Sequence, residues 1–131
     1  MERSLSFYRD LFGIEPEFVA DSSGPDVARL VEVEGADMSF AFLRIGNSVL
    51  ELLEYRNTRG ADNDRRNCDV GAVHIAFEVS DIDEVYELLL RNEVHVSGPP
   101  LRITEGPLAG WATIYFRDPD GVQLEAMQTA S

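Results

Sequence analysis

The stretch Ala72-Val73-His74-Ile75-Ala76-Phe77-Glu78-Val79, followed by Ser80-Asp81 and then Ile82-Asp83-Glu84-Val85-Tyr86-Glu87-Leu88-Leu89, decides the fold. Its first part alternates. Val73, Ile75, Phe77 and Val79 fall on one face, and Ala72, His74, Ala76 and Glu78 on the other, the period of a strand with one buried side. Ser80 and Asp81 then offer helix N-caps, and Ile82, Val85, Leu88 and Leu89 recur at helical spacing. Together they predict a helix over residues 82–92. Beyond it, residues 94–96 read as a strand, Gly98-Pro99-Pro100 as a break, and residues 109–117 as another strand. Asp118-Pro119-Asp120-Gly121 reads as a turn, because proline presets its backbone angle and glycine tolerates a positive one. Residues 122–128 alternate again and close a unit of one strand, one helix and three strands.

The first half repeats this order with one element missing. Residues 2–12 carry Leu5, Tyr8, Leu11 and Phe12 at helical spacing, with Gly13 as the C-cap. Residues 15–20 are a short strand candidate, and residues 26–31 after Pro25 read as a helical turn. Residues 39–45 and 48–55 form a strand pair across Gly46-Asn47. Both halves end alike, since Val49-Leu50-Glu51-Leu52 and Gln123-Leu124-Glu125-Ala126 each put a carboxylate in mid-strand after a glycine turn. The polar stretch 59–69 connects a first module, residues 1–58, to a second, residues 70–131. The strand that precedes the second helix has no partner before the first, because Met1 leads almost directly into that helix. The chain has been trimmed, its start has been placed too late, or the protein lacks that strand.

A length of 131 residues and 44% hydrophobic content allow a real core. No apolar run is long enough for a membrane-spanning helix, and the amino terminus has no signal-peptide layout. The expectation is a soluble, cytoplasmic protein. Cys68 is the single cysteine, which excludes intrachain disulfides and cysteine-based zinc sites and leaves a passive loop thiol. Net charge is −13 and all 11 basic residues are arginine, so nucleic acid and anionic membrane are both disfavoured as partners. The absence of lysine removes Schiff-base chemistry and the P-loop lysine. There is no Walker motif and no GxGxxG loop.

Three residues in apolar strands are candidates for chemistry: Glu51, His74 and Glu125. A carboxylate buried in such a strand must be paired, solvated or bound to a metal. One imidazole nitrogen and two carboxylates suit zinc, nickel, manganese, cobalt or ferrous iron. A lone strand histidine is more often structural, however, and a glutamate in a closing strand most often faces water. No HExxH-type spacing links the three. Their equivalent placement in repeated strands favours a metal, and from the residues alone both readings stay open.

Residues 71–83 (GAVHIAFEVSDID), 116–125 (FRDPDGVQLE), 50–55 (LELLEY) and 2–13 (ERSLSFYRDLFG) resemble the vicinal oxygen chelate superfamily. That group includes glyoxalase I, bleomycin- and fosfomycin-resistance proteins, extradiol dioxygenases and methylmalonyl-CoA epimerase. The resemblance covers nearly the whole chain. It implies an α+β fold of two paired βαβββ modules curving around a metal cleft, commonly completed in a dimer, with the first strand of module one absent here. Carried over by position, the metal ligands are Glu51, His74 and Glu125. The family's fourth ligand, usually a histidine in the first strand of module one, has no counterpart in this chain.

The resemblance further implies a divalent metal ion chelating two neighbouring oxygens of a small substrate, with proton transfer through an enediolate. Glu125 is the first choice for the base and Glu51 its symmetry-related partner. The retained Glu51 favours a lactoylglutathione-lyase-like or related lyase/isomerase. The alternatives are a metal-free small-molecule (antibiotic) binding or resistance protein, a metal-dependent dioxygenase, and a damaged paralogue with a structural role. Arg44, Arg56, Arg59 and Arg102 are available for an anionic substrate, but arginines on an acidic protein are more often surface ion-pair partners. Trp111, Thr113 and Tyr115 alternate on one strand face, where they line a pocket or pack on neighbouring strands. An uncovered edge strand favours a homodimer.

Overall fold

The structure, a computed structural model, describes residues 1–130, and the chain forms two compact units, Met1–Ala61 and Asp62–Ser131. The first unit contains α1 (Glu2–Phe12), β1 (Pro16–Ser23), α2 (Pro25–Val31), β2 (Asp37–Ile45) and β3 (Ser48–Tyr55). Its sheet has the order β1-β2-β3, antiparallel throughout. Gly13 closes α1 at φ 64°, and its N–H donates to the Arg9 carbonyl at 2.8 Å. That left-handed cap is the reason glycine stands there. Ala41 and Leu43 are fully buried on one face of β2, while Tyr8 and Leu11 are the buried apolar residues of α1. The Met1 ammonium bonds Glu54 of β3 at 2.6 Å, tying the start of the helix to the sheet.

The second unit contains β4 (His74–Glu78), α3 (Ile82–Arg91), β5 (Leu101–Arg102), β6 (Ala112–Arg117) and β7 (Gln123–Gln128). The order is β4-β7-β6-β5, with β4 parallel to β7 and the other neighbours antiparallel. A parallel pair needs a crossover, and α3 belongs to the connection that brings the chain back. Asp81 caps that helix by accepting from the N–H groups of Asp83 and Glu84, both at 3.0 Å. Phe77, Ile82, Leu89, Ile114, Phe116, Leu124 and Ala126 are buried and form the core of this unit. The α+β class and the βαβββ order are those expected. In the first unit β3 is an edge strand, while its counterpart β7 lies between β4 and β6.

Three strand expectations need correction. The strand read over residues 72–79 shrinks to His74–Glu78, because the Ala72 N–H is still held by the Asp69 carbonyl in the preceding turn. Residues 109–111 are not strand. Ala109 and Trp111 donate within turns, to Gly106 and Leu108, while Gly110 donates to the Ile103 carbonyl and sits at φ 89°. Residues 94–96 make one isolated bridge, Val96 to Phe116, and the edge strand is instead Leu101–Arg102, after the two prolines. Proline lacks the N–H that a ladder requires, so pairing resumes only beyond it. No helix among the described residues is long and apolar enough to cross a membrane.

Candidate functional site

Alternation along β4, β6 and β7 puts His74, Thr113, Tyr115 and Glu125 on the same face of the second sheet, opposite the core face. Tyr115 lies directly across from Glu125, and Ala76 flanks it on the other side. β7 is an interior strand, so Glu125 has neighbours on both sides and is only 7% exposed. His74 starts an edge strand, and its side chain is 44% exposed.

The carboxylate has a partner on each oxygen. Its Oε2 lies 3.0 Å from His74 Nε2, and its Oε1 accepts from the Thr113 hydroxyl. The Tyr115 ring meets the imidazole edge-on, with centroids 5.3 Å apart. Burial, and then the charge of Glu125 and hydrogen bonding to it, push the Tyr115 hydroxyl above its ordinary pKa. A raised phenol stays protonated, so at neutral pH Tyr115 is a hydroxyl donor.

An imidazole nitrogen and a carboxylate oxygen at 3.0 Å cannot face each other as two bare lone pairs. A proton or a cation must lie between them. An imidazole nitrogen beside a carboxylate oxygen is the donor chemistry that a divalent ion of the zinc, nickel or iron type takes, so this pair could contribute two ligands to one. Within this unit no third described His, Cys, Asp or Glu completes a group that could hold a metal ion.

Glu51 lies in mid-β3 of the first unit, directly across from Phe42, and it is exposed. The expectation that all three candidates are buried polar groups therefore holds for Glu125 alone. Glu51 and His74 stand on strands that are outermost in their own sheets, and a side chain there lacks a neighbour on one side. Sequence reasoning also passed over an aromatic cluster on the Glu51 face. Phe18 and Phe42 have ring centroids 4.8 Å apart, and Phe40 is 5.9 Å from Phe42. Phe40 and Phe42 at a spacing of two were the available signal. Of the candidate arginines, Arg44 pairs with Glu17, Arg56 with Asp21 and Asp37, and Arg102 with Asp83.

The family model described as Glyoxalase/Bleomycin resistance protein/Dioxygenase superfamily matches residues 1–126. The chain belongs to this superfamily. Within it, a "2-epi-5-epi-valiolone epimerase" from Actinomyces is 35% identical over 130 residues, spanning 95% of this chain and 71% of that relative. The "Probable lactoylglutathione lyase" of Synechocystis is 26% identical over 137 residues, spanning all of this chain and 88% of that protein. Among solved structures, a glyoxalase family protein from Bacillus cereus superposes with a TM-score of 0.84 at 18% identity, over 100% of this chain and 87% of that one. That superposition supports the glyoxalase-like fold read from the strand order.

Proposed function

We propose that this protein is a metal-dependent lyase or isomerase that moves a proton at a carbon beside a carbonyl in a small substrate with neighbouring oxygens. The observation that carries the proposal is the contact between His74 Nε2 and Glu125 Oε2, made by a buried carboxylate in an interior strand. The names of the two relatives, an epimerase and a lyase, support the same class of chemistry. In this reading His74 and Glu125 hold a divalent ion, of the zinc, nickel, manganese, cobalt or iron type. Glu51 is the third ligand and second acid–base group, by its equivalent place in the closing strand of the first module. Modules 1–58 and 70–131, joined by 59–69, act together, and the protein assembles as a homodimer.

A bound divalent cation would polarise the two substrate oxygens and stabilise the negative charge that develops as the proton leaves. The protein residues do the rest. Glu125 takes the proton on its carboxylate, which the Thr113 hydroxyl holds in place beforehand through Oε1. Tyr115, protonated at neutral pH, presents a hydroxyl beside the carboxylate to orient a substrate oxygen. The expected result is solvent deuterium entering the carbon next to the carbonyl of a hydroxyketone or hemithioacetal, catalysed by metal-loaded protein and lost in E125Q. No deuterium uptake from either substrate class would count against the proposal.

A second reading, a metal-free small-molecule binding protein, is favoured by one observation: the cluster of Phe18, Phe40 and Phe42 beside Glu51, with Phe18 45% exposed. Elemental analysis of protein purified without added metal separates the two. A stoichiometric divalent ion supports the enzyme, and its absence supports the binder.

A further inference from the structure

We propose that Thr113 is a positioning residue: its hydroxyl sets the plane of the Glu125 carboxylate so that Oε2 stays on His74. The inference rests on the metal-dependent reading above and adds a residue to it. The final torsion of a glutamate is broad and has no sharp minimum of its own, so the backbone of β7 does not orient the carboxylate. A hydrogen bond to one oxygen does. Thr113 lies across from Met127, one pleat along from Glu125, and donates to Oε1 while His74 meets Oε2. Threonine is branched at Cβ and therefore stiff at its first torsion, so the hydroxyl is a fixed support.

The Thr113 hydroxyl has a second acceptor, the Ala126 carbonyl at 3.2 Å. One proton serves two acceptors, and the charged carboxylate is the stronger of them. When Glu125 turns towards substrate, the hydroxyl can rotate to Ala126. The part-buried hydroxyl is then not left without an acceptor, which would otherwise oppose the movement. Thr113 thus holds the carboxylate in one state and releases it at little cost in the other.

The test is zinc affinity, measured on the full chain by competition with a chromophoric chelator, for wild type, T113V, T113A and T113S. Valine keeps the shape and removes the hydroxyl, so T113V should bind Zn2+ about 10- to 100-fold more weakly, as for loss of an outer-shell partner. T113A reports the same loss if the valine variant does not fold. T113S, which keeps the hydroxyl, should restore affinity, whereas a purely packing role would leave T113S as poor as T113A. Equal affinity of wild type and T113V, or failure of serine to rescue, overturns the positioning role while leaving the metal site in place. A wild type that holds no Zn2+ overturns the metal reading and this role with it.

Discussion

At Glu125 a carboxylate 7% exposed has Ala76 on one side and Tyr115 on the other, the two partners of an interior strand. Its bonds to His74 and Thr113 replace the water it has lost, as a buried charge requires. Glutamine keeps the size of the side chain and removes the base, so E125Q should slow substrate proton exchange by about 10²- to 10⁴-fold. Mass spectrometry of deuterium uptake checks this, and near wild-type uptake would remove Glu125 from the base role. H74A removes the imidazole donor, and elemental analysis should find its divalent ion reduced below one per chain. Retention of a full equivalent would exclude His74 as a ligand. E51Q, assayed beside these two, tests whether the first module contributes its own carboxylate.

Elements are held by a few identifiable contacts, each of which predicts a measurable cost. Asp81 satisfies two amide groups at the start of α3, and D81A should lower stability by about 0.5–2 kcal/mol in urea unfolding. The turn into β7 places Gly121 at φ 82°, where an added Cβ would lie 2.7 Å from the Asn63 carbonyl oxygen. G121A therefore combines backbone strain with a clash against main chain, and a cost of about 1–3 kcal/mol is expected for the strained backbone alone. A melting temperature equal to wild type would show that the turn relaxes freely. In the first unit, hydrogen bonding from Arg56, then from Ser39, holds Asp21 below its ordinary value of 3.8. A lowered folded pKa means the stabilisation is complete above pH 3.8 and is lost as pH falls through the folded value. R56Q should therefore flatten part of the acid limb of the stability curve, with no effect on its alkaline side. Nuclear magnetic resonance titration of Asp21 in R56Q should show its pKa rising towards 3.8.

At the scale of the whole molecule, the outermost position of β3 leaves an eight-residue strand with Val49 and Leu53 both more than 40% exposed. Unpaired strand edges with apolar side chains favour association. The expected outcome is a dimer by light scattering, shifted towards monomer by L53K, and a monomeric wild type would refute the proposed assembly.

Much of this molecule was legible in order along the chain. The alternation from His74 to Glu78, the cap at Asp81, the helical spacing from Ile82 to Leu89 and the glycine turn at Gly121 are local signals, and each is reflected in the fold. The short edge strand Leu101–Arg102 was not legible, because two residues carry no periodicity and only pairing with β6 defines them. The same limit applied to the candidate site. Sequence alone picked out Glu51, His74 and Glu125, since histidine and glutamate in such strands are conspicuous. Which carboxylate would be buried, and that Thr113 would bond it, depended on where each strand lies in its sheet. Burial is a property of neighbours brought together by non-local pairing, so tertiary structure alone made Glu125 an interior residue and left Glu51 on an edge.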